Sequence, residues 1–317
     1  MLNISVIIPV YNAQDFLEKA VNSALYFEEV KEVLLINDGS SDNSLMVCEQ
    51  LVSKNSRVKL LQHHDKGNHG AGATRNLGLA KASQEYIAFL DADDYYLPNR
   101  FDVEREAFKD SKIEGVFGAI GVDFLSQKGE EEFKSKFKNN NLTTVNYPAE
   151  GKDVFLGLMD LSSNYFGIFF SLIGLTVRKS SITKNKIKFN PELRVHQDTD
   201  FNLRLSYYCN LKTGSIKEAV SIRGVHDDNR ITKIKPYSSR FYQNIFKLYT
   251  SLYEWSKHEK ALDKNVTEEI KLRYLSFKIA NKKGVMKWLH FIAATISHLK
   301  FIKTRYRFHA LNTHQND

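Results

Sequence analysis

The chain opens on a β-branched run, "ISVIIPV" at 4–10. After Asn12, apolar residues recur at helical spacing: Ala13, Phe16, Leu17, Ala20, Val21, Ala24 and Leu25. The pattern predicts a strand followed by an amphipathic helix, and Asp15, three residues beyond Asn12, suggests a capping box with Asn12 as the N-cap. "EVLLIND" (32–38), "RVKLLQH" (57–63) and "EYIAFL" (85–90) repeat the strand signal. One helix is expected between the first two of these, opening at the "GSSDNS" turn, and another over 70–82. Four strands separated by helices imply a parallel sheet with right-handed crossovers. In such sheets ligands collect beyond the carboxyl ends of the strands. The polar segments "PVYN", "NDGSSD", "HHDKGNHGAG" and "DADD" each follow one strand, so all four should line one rim.

Composition narrows the class. At 317 residues, with 42% hydrophobic and 26% charged content, the chain is globular and long enough for one large domain with an appendage, or for two domains. Cys48 and Cys209 lie far apart and offer no ligand spacing, so neither a disulfide framework nor a zinc module is expected, and a reducing, cytoplasmic compartment is. The first strand is broken by Pro9 and Asn12 and has no basic flank, which argues against a signal peptide, and no apolar run is long enough to span a membrane. The net charge of +8 is local: residues 231–317 hold 17 Lys and Arg against 6 Asp and Glu.

The stretch "FLDADD" (89–94) packs Asp91, Asp93 and Asp94 behind a buried strand, where like charges repel unless water, a cation or a basic group stands among them. Taken alone it reads as a solvated turn or as a metal site. The cluster "GNHGAG" (67–72) has neither the spacing of a dinucleotide fingerprint nor the Gly-Lys-Ser/Thr of a Walker sequence, which excludes both nucleotide-loop classes.

In their order, "VIIPVYN", "INDGSSDNS", "GAGATRNLGL", "EYIAFLDADD" and "HQDTDFNLRL" resemble glycosyltransferase family 2, inverting enzymes of the GT-A fold, over residues 1–230. The resemblance implies an α/β, Rossmann-like, mainly parallel sheet flanked by helices, with a nucleotide-sugar half at about 1–100, an acceptor half at about 101–230 and a basic helical extension at 231–317. It implies that Pro9 and Tyr11 line a nucleobase pocket, and that Asp38 accepts a hydrogen bond from base or ribose. Arg75 would face the diphosphate or brace the "DADD" loop. Asp91 would meet the ribose, and Asp93 would hold a divalent cation, manganese or magnesium, with His226 as a second candidate ligand. The general base would be Asp198, with Asp200 the alternative; for both, charge stabilisation of a helix N-terminus is the plainer role. Gln197 departs from the family, which commonly has Glu there. Segment 162–180 would border the acceptor or form a core strand. The implied reaction moves a sugar from a nucleoside diphosphate, with UDP the commonest carrier and GDP and dTDP left open, to a hydroxyl of a saccharide or lipid-linked saccharide.

Beyond residue 231 three basic, apolar-periodic segments suggest helices, the last over 284–308. They could meet an anionic membrane at the inner face of the cell, or pack on the catalytic domain or a second subunit. No nucleic-acid module is present. Two other classes compete: a catalytically inactive GT-A scaffold, and a sugar nucleotidyltransferase, which would carry a glycine-rich basic loop where "PVYNAQDF" stands.

Overall fold

The computed structural model describes residues 2–137, 142–167, 169–227 and 234–312. It divides into two compact units: Met1–Arg194 with Phe201–Asp228, and Val195–Asp200 with Asn229–Asp317. The expected boundary at residue 231 lies outside the described residues.

The first unit is built on strands β1 (Ile4–Val10), β2 (Val30–Asn37), β3 (Val58–Gln62) and β4 (Tyr86–Phe89), which run parallel in the order β3-β2-β1-β4. Burial on both faces explains why β1, β2 and β4 read as continuous apolar runs and not as alternation, whereas β3 at the sheet edge is mostly half-buried. Beyond β4, the sheet continues through β8 (Leu175–Arg178), antiparallel to β4, then β6 (Gly115–Phe117) and β9 (Leu211–Thr213). Part of the ambiguous 162–180 segment is therefore core strand. A second sheet orders β5 (Tyr95–Tyr96), β10 (Ala219–Val225) and β7 (Ala119–Phe124).

Helices α1 (Leu17–Leu25) and α2 (Ser44–Lys54) contribute Leu17, Ala20, Val21, Cys48 and Leu51 to one core with β1, β2 and β4. Helix α3 (Ala71–Lys81) contacts β1 and β2. A Cβ at Gly78 would come within 2.5 Å of Ile7 Cγ2, so the glycine permits this close approach. The Asn12 capping box does not form. Helix α1 starts at Leu17 with no side-chain cap, and Asn12 takes a left-handed backbone, φ 50°. Its Oδ1 instead accepts the Ser41 N–H at 2.9 Å, because the loop after β1 is stitched to the loop after β2.

In the second unit, α9 (Ser239–His258), α10 (Lys264–Ala280), α11 (Gly284–Ser297) and α12 (Thr304–Leu311) pack together. Earlier in the chain, the first unit carries α4 (Asp102–Ala107), α5 (Gln127–Phe137), α6 (Lys152–Leu158) and α7 (Lys179–Lys184), and α8 spans Gln197–Tyr208. The single helix expected over 284–308 is two, separated by a 3₁₀ turn at Leu299–Ile302. The break lets Phe301, Tyr306 and Ala310 join Leu272, Ile279 and Ala294 in one buried cluster. Buried Glu269 accepts from Arg273 (2.5 Å), Arg305 (3.0 Å) and the Tyr306 hydroxyl (2.5 Å), which satisfies a carboxylate that would otherwise be costly inside the unit.

Candidate active site

The loops after the four parallel strands are cross-tied. The Ser44 hydroxyl accepts the Ala13 N–H at 2.8 Å and Asp42 accepts those of Gln14 (3.3 Å) and Ser44 (3.0 Å), so "DGSSD" clamps the loop after β1. These bonds hold the Asp42 carboxyl below its usual range against the opposing effect of burial. Pro9 is partly buried within β1, and the Tyr11 ring beyond it is 49% exposed. Asp38, buried at the end of β2, accepts the backbone N–H groups of His69 and Gly70, one on each carboxylate oxygen and both at 2.8 Å. Its carbonyl accepts from Asn68 Nδ2 at 3.1 Å. Asp38 therefore fixes the glycine-bearing loop after β3 against the end of β2. Beside it, His63 reaches Thr74 Oγ1 at 3.2 Å, and desolvation, reinforced by His69, lowers its pKa.

The "DADD" loop follows β4. Arg75, buried on α3, places Nη2 2.5 Å from Asp91 Oδ1. Arg75 thus contacts the acidic loop through Asp91. Asp93 Oδ2 lies 3.2 Å from His226 Nε2, and the imidazole stacks on Phe16 at 4.8 Å between ring centroids. Asp94 is buried and accepts the Gly224 N–H at 2.9 Å. Burial above all, then the Asp93 and Asp91 carboxylates, pushes the Asp94 pKa well above its ordinary value. Gly224 makes the assembly feasible: a Cβ there would meet the Asp93 carbonyl oxygen at 2.2 Å. Strand β10 thus approaches the acidic loop backbone to backbone, and its continuation delivers His226 to Asp93. Phe16 and Gly224 join the site from outside the sequence motifs: the glycine in "RGVHDD" is the sequence signal for the second, whereas the spacing of Phe16 fits only a core position of a helix.

Among the described residues no group of three or more His, Cys, Asp or Glu is placed to hold a metal ion. The Asp93 carboxylate, with Asp91 nearby in the loop, offers oxygen donors of the kind a hard divalent cation takes, and the His226 imidazole beside it is a softer nitrogen donor.

Asp198 lies in the second unit, in the first turn of α8, partly exposed. Asp200, the alternative base, is fully buried and accepts from Ser251 Oγ at 2.8 Å. Gln197 is buried as well.

A mainly parallel sheet, its strand ends carrying an Asp-Ala-Asp-Asp loop in contact with a returning histidine, is similar to the GT-A fold. The chain belongs to glycosyl transferase family 2, whose family model matches residues 5–173, more than half its length. It is 25% identical over 263 residues to the poly(ribitol-phosphate) beta-N-acetylglucosaminyltransferase TarP of Staphylococcus aureus (strain N315), a match covering 80% of this chain and 73% of the relative. An uncharacterized glycosyltransferase of Haemophilus influenzae is 40% identical over 101 residues, 31% of this chain and 39% of the relative. The matched stretches span between 18% and 39% of the length of four such curated relatives. In fold, the chain is similar to the crystal structure of S. aureus TarS 1-349 in complex with UDP-GlcNAc, with a TM-score of 0.59 at 19% identity, covering 96% of this chain and 83% of that one.

Proposed function

We propose that the chain is a metal-dependent inverting glycosyltransferase that moves a hexose or N-acetylhexosamine from a nucleoside-diphosphate donor, UDP being the carrier, to a hydroxyl of a saccharide or lipid-linked saccharide at the inner face of the membrane. The observation that carries this reading is the pairing of Asp93 with His226 on a loop whose first carboxylate, Asp91, is held by buried Arg75. The UDP-GlcNAc complex of TarS and the beta-N-acetylglucosaminyltransferase activity of TarP support the choice of donor. A nucleotidyltransferase is disfavoured because the loop after β1 contains no glycine, lysine or arginine through "PVYNAQDF".

In this reading Pro9 and the exposed ring of Tyr11 bound the nucleobase by stacking. Asp38 holds the neighbouring loop and offers its remaining acceptor capacity to base or ribose, and Asp91 meets the ribose. Asp93 and His226 would hold manganese or magnesium, which when bound neutralises charge on the departing nucleoside diphosphate. Asp198 takes the proton of the acceptor hydroxyl as that oxygen forms a bond to the anomeric carbon and the bond from that carbon to the diphosphate oxygen breaks. The attack comes opposite the leaving group, so configuration inverts.

Calorimetric titration of UDP, GDP and dTDP, each with manganese, magnesium or EDTA, tests the donor site. Metal-dependent binding of one nucleotide that Asp93→Ala abolishes is the expected result. No binding under any condition would leave the scaffold reading in its place. Asp198→Asn is expected to keep donor binding and to cut transfer by about two to four orders of magnitude; unchanged transfer would remove Asp198 from the role.

A further inference from the structure

Helix α11 presents its apolar side outward. Phe291 and Ala294 pack into the second unit's core, while Val285, Trp288, Leu289, Ile292 and Ile296 fall within one sector on the opposite side, and all five are exposed. Trp288 is 56% exposed and Ile296 75%, and the 3₁₀ turn adds Leu299 at 79%. A row of large apolar side chains left in water on a helix that already has a packed face marks an interaction site.

The charge around the stripe identifies what covers it. From Asn281 to Asn312 the sequence carries seven Lys and Arg and no Asp or Glu. Lys300 pairs with Glu268 and Arg305 with Glu269, both within the unit, and Lys287 donates to the Asn312 carbonyl. Lys282 and Lys283 precede the stripe, Lys303 and Arg307 follow it, and all four are exposed. A two-fold contact between copies through this face would set the same acid-free, basic segment against itself, which like charge disfavours. An anionic lipid surface satisfies both features: the apolar stripe enters the acyl boundary, the flanking cations remain among the headgroups, and a tryptophan suits that boundary.

We infer that α11 and the turn after it form a membrane-docking surface that lays the stripe Val285, Trp288, Leu289, Ile292, Ile296 and Leu299 into an anionic bilayer, with Lys282, Lys283, Lys303 and Arg307 on the headgroups. The surface lies outside the proposed donor site, and its occupancy is measurable without sugar transfer.

Flotation of the full chain with vesicles of phosphatidylcholine, alone or mixed with phosphatidylglycerol, tests the inference. The protein is expected to float with the mixed vesicles and not with phosphatidylcholine alone, and to be released near 1 M salt, where the screening length falls to about 3 Å. The Trp288 emission should move to the blue on binding. Ile292→Ser with Ile296→Ser, both on exposed positions that the fold does not use, should weaken binding at least about tenfold, as should Lys282→Glu, Lys283→Glu and Lys303→Glu combined. Circular dichroism confirms that the variants remain folded. Failure to float with anionic vesicles overturns the inference, as does binding that both variants leave intact. Lipid-free self-association in the ultracentrifuge that the Ile292→Ser, Ile296→Ser variant abolishes overturns it in favour of a second copy.

Discussion

Replacing Arg75 by methionine removes a cation that holds the first carboxylate of the acidic loop. The Arg75 side chain is 4% exposed and Asp91 is 39% exposed, so the pair lies between the exposed and buried limits. Exposed pairs contribute about 0.2–1 kcal/mol, and breaking a buried pair costs about 3–5 kcal/mol. An intermediate site screened on the Asp91 side places the cost at about 2 kcal/mol. For a domain-sized unit, that lowers the melting temperature by about 4–8 °C. Asp91 would also lose its fixed orientation, so nucleotide affinity measured by calorimetry with manganese should fall at least about tenfold, equivalent to about 1.4 kcal/mol. Arg75→Lys keeps a charge but loses the planar fork, and should recover only part of both effects. A methionine variant that melts within about 1 °C of the parent and binds nucleotide equally well would show that the ion pair neither supports the loop nor prepares the site.

Two other expectations follow from packing. Gly224→Ala must move either β10 or the Asp93 carbonyl, since the added Cβ would sit 2.2 Å from that oxygen; circular dichroism should stay native while metal-dependent nucleotide binding is lost, and retained binding would refute the close-approach argument. Burial pushes the Cys48 and Cys209 thiols up to about 12 from 9.0. A folded-state pKa above the unfolded value gives stability that is complete below pH 9 and lost as pH rises towards 12, at up to about 1.4 kcal/mol per pH unit per thiol. Denaturant midpoints across this window should decline less steeply in the Cys48→Ala, Cys209→Ala variant, and both native thiols should resist a disulfide-exchange reagent until the chain is unfolded.

Local pattern carried the first half of the fold. Strands at 4–10, 32–38, 57–63 and 85–90 could be read because each is a short apolar run closed by turn residues, and helices intervene at a period that allows only parallel pairing. The polar residues that end those runs had to share a rim, since parallel strands point their carboxyl ends the same way. Asp38, Asp91 and Asp93 were therefore identifiable before any coordinate. What they contact was not. Asn12 had the spacing of a cap, yet its side chain bonds across to Ser41 because two loops meet there. Asp200, the alternative to Asp198 two residues away, is buried against Ser251, a contact that the spacing of the two carboxylates does not reveal.

The same limit applies to the longest-range contacts. His226 meets Asp93 across 133 positions of sequence, through a strand in a second sheet that a glycine lets close upon the acidic loop. The segment expected as one helix over 284–308 is two, and because apolar residues stand on both its packed and its exposed sides, periodicity could not say which side the core would take. Sequence alone determined which residues would stand at strand ends, because strand and helix periods are local properties of the chain. Tertiary structure alone decided which of them touch and which apolar face was left in water, because those outcomes depend on the mutual packing of segments far apart in the chain.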